Sequence, residues 1–154
     1  MTATDTLRAF LANNPASLGT RVLLHGPTGS GKAAAAALLG KEMKREVIRV
    51  DLSRVISKYI GETEKNLTRL FQQAQHVNAI LFFDEADALF GKRTEVKDAH
   101  DRLANQEVAF VLQRIERYHG IIVLATRHRP SIDRPLLRRM QVVIPFPGKG
   151  PSPR

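Results

Sequence analysis

Gly26, Pro27, Thr28, Gly29, Ser30, Gly31 and Lys32 follow the order glycine, four residues, glycine, lysine, and the chemistry of that spacing is the wrapping of phosphate groups. Glycines let successive backbone N–H groups turn inward onto phosphate oxygens. A helix beginning there adds partial positive charge, and a lysine in the last position reaches the β and γ phosphates. The other reading of these residues is a Gly-rich turn that only links a strand to a helix. The next position departs from the pattern. Where a Ser or Thr hydroxyl would ligate Mg²⁺, Ala33 offers a methyl that cannot bind a hard cation, so water would have to take that place.

A second constellation is Ile80, Leu81, Phe82, Phe83, Asp84 and Glu85, an apolar run that ends in two carboxylates. On a parallel sheet such a run delivers its acids to the carboxyl edge, beside the phosphate loop. Asp84 can then hold Mg²⁺ through its waters and Glu85 can polarise an attacking water. Alone, the run is weak evidence, and its other reading is a solvated strand end; together with the loop about 50 residues upstream it describes one site. Other chemistries find little support. His25, His76, His100, His119 and His128 lack metal-ligand spacing, Asp98 and Asp101 read as a charged helix face, and neither Ser30 nor Ser53 lies in a hydrolase elbow.

The elements needed to position these groups are legible in the apolar pattern. Residues 22–24 form a short apolar run ending at Gly26, and 33–43 are rich in Ala and Leu, so strand and helix flank the loop. Residues 47–50 read as a second strand. A helix follows from 63 to about 75, with Leu67, Leu70, Phe71 and Ala74 on one face. Residues 80–83 are a third strand, 98–118 a long amphipathic helix (Ala104, Val108, Val111, Leu112, Ile115), 121–125 a fourth strand and 142–144 a fifth. Continuously apolar strands alternating with helices predict a parallel sheet covered on both faces. Residues 1–20 are expected to hold one or two amphipathic turns (Leu7, Phe10, Leu11) within a packed linker, and 148–154, rich in Pro and Gly, to be a disordered tail.

The 154 residues, 43% hydrophobic and 25% charged, suit one domain. The absence of cysteine excludes a disulfide scaffold and a Cys-ligated zinc site. No apolar stretch approaches the roughly 20 residues of a membrane span. Asp5 precedes every basic residue and Asn13, Asn14 and Pro15 break the first apolar run, so neither a secretory nor a transit signal is expected, and the expected location is the cytoplasm. The net charge of +9 is uneven: residues 127–154 supply +6 of it, and the rest carry 17 basic against 14 acidic groups. Without clustered Lys and Arg interleaved with aromatics, nucleic-acid binding is not expected.

With these residues in view, the chain resembles an AAA-type ATPase core over residues 21–146, carried by GPTGSGK, SKYIGETEKNL, ILFFDEADALFGKR and IDRPLLRRM. The stretch from Phe82 to Tyr118 is more narrowly similar to AAA ATPases encoded with phage-tail-like contractile injection systems. The resemblance implies a three-layer α/β/α P-loop NTPase fold, with a five-stranded parallel sheet in the order 5-1-4-3-2, over a core of residues 21–147. It gives the phosphates of ATP to Lys32, the metal to Asp84 and the base to Glu85. Lys58, Tyr59 and Ile60, with Gly61 and Glu62, match a pore loop that grips a protein substrate in the channel of a ring; by type alone Tyr59 reads equally as a half-buried core aromatic. Arg138 and Arg139 match the arginine fingers that reach a neighbouring subunit's nucleotide, or form a solvated basic helix end.

Besides Ala33, two further departures bear on activity. Arg127 stands where the family ends a strand with Asn, free either to contact the γ-phosphate or to pair with Asp84 or Glu85. The Pro/Gly-rich ending gives no sign of the family's small helical lid. The expectation is an ATP-binding module with weakened hydrolysis, active as a motor only in a ring of like or unlike AAA subunits and mostly monomeric alone. The alternative is a hydrolysis-deficient nucleotide-binding or basic interaction module.

Overall fold

The computed structural model describes residues 2–13, 19–52, 63–90, 99–130 and 135–148. In chain order the elements are α1 (Ala3–Asn13), β1 (Thr20–His25), α2 (Lys32–Met43), β2 (Val47–Asp51), α3 (Thr63–Val77), β3 (Ile80–Asp84), a 3-10 turn (Ala86–Leu89), α4 (Ala99–Arg117), β4 (Ile121–Thr126), α5 (Pro135–Arg138) and β5 (Val142–Pro145). The five strands form one sheet in the order β2-β3-β4-β1-β5, every pair parallel. This is the expected order, read from the opposite edge.

Strand periodicity explains the layers. Side chains alternate across a sheet, and the apolar runs are apolar on both sides. Leu23, Leu81, Phe83, Ile122 and Leu124 therefore pack with Leu67, Phe71 and Ala74 of α3 and Val111 and Ile115 of α4. Their neighbours Val22, Leu24, Ile80, Phe82, Val123 and Ile144 pack on the other face with Leu7 and Leu11 of α1 and Ala35, Ala36 and Leu39 of α2. Phe82 and Phe83 are adjacent yet serve opposite cores, both almost fully buried, and each contributes about 1.5–3 kcal/mol by leaving water. Tyr118 ties one core to the sheet. Its ring meets Phe71 edge-on at 5.7 Å and its hydroxyl donates to the Ala79 carbonyl at 2.8 Å.

The alanine-rich α2 lies close to the sheet because its buried side is small. A Cβ on Gly40 would overlap Val47 of β2. The N-terminal segment is more regular than the expected one or two turns, with α1 running 11 residues. The missed signal was local. Thr2 and Asp5 cap reciprocally, each amide donating to the other's side chain at 3.1 Å, and Arg8 joins Asp5 to Glu42 of α2. Residues 149–154, most of the expected tail, lie outside the described residues.

Candidate functional site

Parallel pairing brings the carboxyl ends of β1, β3 and β4 to one edge. His25 is level with Thr126, Phe83 with Leu124, and Asp51 with Asp84, so the loop after β1 and the acids after β3 face one cavity of about 370 Å³. The loop is fixed by its backbone. Gly26 N–H donates to Thr126 O at 3.0 Å, Ser30 N–H to Pro27 O at 3.1 Å, and Ala35 N–H to Gly31 O at 2.9 Å as α2 begins. Gly29 and Gly31 adopt φ of 82° and 100°, a region that a side chain disfavours. Gly26 is glycine for another reason, since a Cβ there would overlap the Phe146 carbonyl.

Lys32 opens α2 and is only 8% exposed. Its ammonium folds back over the loop, donating to Gly26 O and, at 3.3 Å, to Pro27 O. Burial holds its pKa below the usual lysine value, against the opposing pull of Asp84 and Asp87 and with a further push down from Arg127. A desolvated ammonium among loop carbonyls, facing a concave backbone, suits exchange of those carbonyls for the oxygens of an anion. Thr28, Gly29, Gly31, Lys32 and Ala33 all line the cavity, and Thr126 Oγ, at its floor, is buried without a protein partner. Ser30 is the other buried hydroxyl without a partner in this region.

The opposite wall carries the acids. Asp84 Oδ1 accepts the Glu85 amide at 2.9 Å, and Oδ2 is ion-paired with Arg49 of β2. Glu85 is exposed and sits in the left-handed region at φ 55°, so the chain turns sharply into the 3-10 segment. The Arg127 amide donates to both oxygens of Asp87, at 3.1 and 3.2 Å, and its side chain is exposed at the cavity. Of the open readings for Arg127, pairing with Asp84 is not realised, because Asp84 takes Arg49 instead. Arg138 is exposed on the short α5, whereas Arg139 is ion-paired with Glu116 at the end of α4. The Lys58, Tyr59, Ile60 segment lies outside the described residues.

Phosphate groups fit this cavity; a divalent cation fits poorly. Ala33 supplies no hydroxyl, and both Asp84 oxygens already hold donors. Two residues that shape the site escaped the sequence reading. Asp87 fixes the turn after β4, and its only signal was its place three residues past Asp84. Arg49 was visible only as a charge inside an otherwise apolar strand, and its meaning depends on a register that pattern alone does not give.

Comparison with known proteins agrees with this geometry. The family described as "ATPase family associated with various cellular activities (AAA)" matches residues 22–148. Cell division protein C of Sulfolobus acidocaldarius is 33% identical over 129 residues, covering 78% of this chain and 34% of that protein. The Cell division cycle protein 48 homolog of Archaeoglobus fulgidus is 34% identical over 119 residues, covering 77% and 16%. Peroxisomal ATPase PEX1 of Homo sapiens is 35% identical over 132 residues, covering 84% and 10%. The chain thus spans about a third of the length of these relatives at most. With a match over most of its length and the phosphate loop at the sheet edge, the chain belongs to the AAA family of ATPases.

Proposed function

We propose that this cavity binds ATP through its phosphates, and that the chain is an AAA module with weakened hydrolysis. The observation that carries the reading is Lys32, buried and folded onto the carbonyls of a loop held concave by Gly29 and Gly31. Phosphate oxygens would replace those carbonyls in charge-assisted hydrogen bonds, with loop amides and the start of α2 adding partial charge.

Glu85, exposed at the cavity, is the candidate to polarise the attacking water. Arg127 replaces the side chain that would position that water, and Ala33 removes a metal ligand, so the chemical step suffers more than binding does. Arg138 is the better candidate for a finger acting on a neighbouring subunit, since Arg139 is engaged by Glu116. A ring of AAA subunits, a protein substrate gripped by Lys58, Tyr59 and Ile60, a cytoplasmic setting and a place beside contractile injection systems rest on sequence resemblance. Residues 21–147 would act as the nucleotide-binding core.

Titration with a fluorescent ATP analogue tests the reading. Micromolar binding, lost in Lys32→Ala while the circular dichroism melt is unchanged, is the expected result. No binding at millimolar nucleotide would overturn it and favour a basic interaction module.

A further inference from the structure

The cavity contains a cation of its own on the carboxylate wall. Arg49 lies directly across from Phe82 in the β2–β3 register, two residues before the pairing of Asp51 with Asp84. On a pleated strand that spacing puts Arg49, Phe82 and Asp84 on one sheet face, the face on which α2 and the phosphate loop pack. The guanidinium carbon sits 6.0 Å from the centre of the Phe82 ring, the group is ion-paired with Asp84, and Arg49 lines the cavity with Lys32. It therefore holds the carboxylate on which the expected metal would depend. Ala33 removes the other protein ligand expected for that metal.

We propose that Arg49 acts as the resident cation of this site, so that the cavity takes a nucleoside polyphosphate without a divalent metal. The inference rests on the ATP-binding reading above and specifies the form of ligand bound. A guanidinium presents several N–H donors in a plane, and one edge can hold Asp84 while another meets phosphate oxygens. The side chain of Arg49 is 62% exposed, so its pairing with Asp84 is a weak surface contact. Sharing the guanidinium with an incoming phosphate therefore costs little. With Lys32 on the opposite wall, the two cations would clamp the phosphate chain from both sides. A metal ion at Asp84 would compete with Arg49 for that carboxylate, and at the phosphates it would neutralise the charge that both side chains read. Metal-bound nucleotide then gains nothing over the free form.

The test is calorimetric titration of the full chain with ATP, in EDTA and in millimolar Mg²⁺, for the parent, Arg49→Ala and Arg49→Lys. The expected result is parent affinity in EDTA equal to or greater than that in Mg²⁺. Arg49→Ala should lose about tenfold in EDTA, the worth of one charge-assisted phosphate contact, and recover part of this when Mg²⁺ is added. Arg49→Lys should fall between, because it keeps the charge and loses the planar fork. Parent binding about tenfold weaker in EDTA than in Mg²⁺ would overturn the proposal while leaving ATP binding intact, as would unchanged EDTA affinity in a folded Arg49→Ala. Parent protein that binds ATP in neither buffer would overturn the ATP-binding reading itself, and this inference with it.

Discussion

The two walls of the cavity are built differently. The phosphate loop is fixed by backbone hydrogen bonds and by two glycines at positive φ, with its one functional side chain buried. The carboxylate wall is held by side chains at the surface: Asp84 by Arg49, and the Arg127 turn by Asp87. On the proposed reading, phosphate recognition on the first wall rests on chain conformation and on one buried lysine. The hydrolysis proposed for the second would depend on individual side chains that can be exchanged one at a time. A protein built this way can lose turnover and keep binding.

The sharpest way to break this contrast is Lys32→Ala, expected to weaken ATP binding about a hundredfold by removing its buried charge-assisted donor. Glu85→Gln on the facing wall should leave affinity within about threefold. Equal losses in the two, read by the same titration, would mean the walls do not divide the work. Next in size, Gly26→Ala should destabilise the fold by about 2 kcal/mol because its Cβ meets the Phe146 backbone, seen as a lower urea midpoint. A neutral outcome would show that the loop yields more easily than its backbone bonding suggests.

If Ala33 and Arg127 limit turnover as proposed, Ala33→Thr combined with Arg127→Asn should raise phosphate release about tenfold over the parent and beyond either single change, because both would act on one step. No gain, with ATP binding and assembly intact in both proteins, would place the limit elsewhere. Asp87→Ala should cost about 1 kcal/mol by freeing the Arg127 amide, and that amide should exchange faster with deuterium while those of the loop do not.

The smallest expected effect concerns pH. His25, at the end of β1, has its pKa held below the ordinary 6.5 by burial, then by Arg129 and Lys32. The folded state therefore takes up this proton later than the unfolded chain does, and stability falls as pH drops below about 6.5. His25→Gln should flatten that part of the urea-midpoint profile; an unchanged slope would assign it to other groups.

Much of this arrangement could be read from pattern because the determinants are local. The strand runs are apolar on both faces, which marked residues 80–83 as an interior strand, and the glycine spacing marked the loop before any fold was known. What escaped was pairwise. Arg49 gains its role from a strand neighbour more than thirty residues away, and Asp87 from an amide forty residues on. Neither spacing carries a period. The length of α1 was missed for a smaller reason: its cap couples Thr2 with an aspartate instead of the more familiar glutamate.

The position of β1 between β4 and β5 has a consequence for how the protein comes into being. Thr20 pairs with Ile121, and Phe146 donates its amide to His25 at 2.7 Å beside the loop. The first strand of the sheet thus waits for partners made roughly a hundred residues later, and closing such long chain segments is slow. Until Phe146 has docked, Gly26 lacks the wall that shapes it. During synthesis, the capacity to capture a ligand would therefore arrive late and abruptly, and a nascent chain carrying the whole phosphate motif would still be unable to use it.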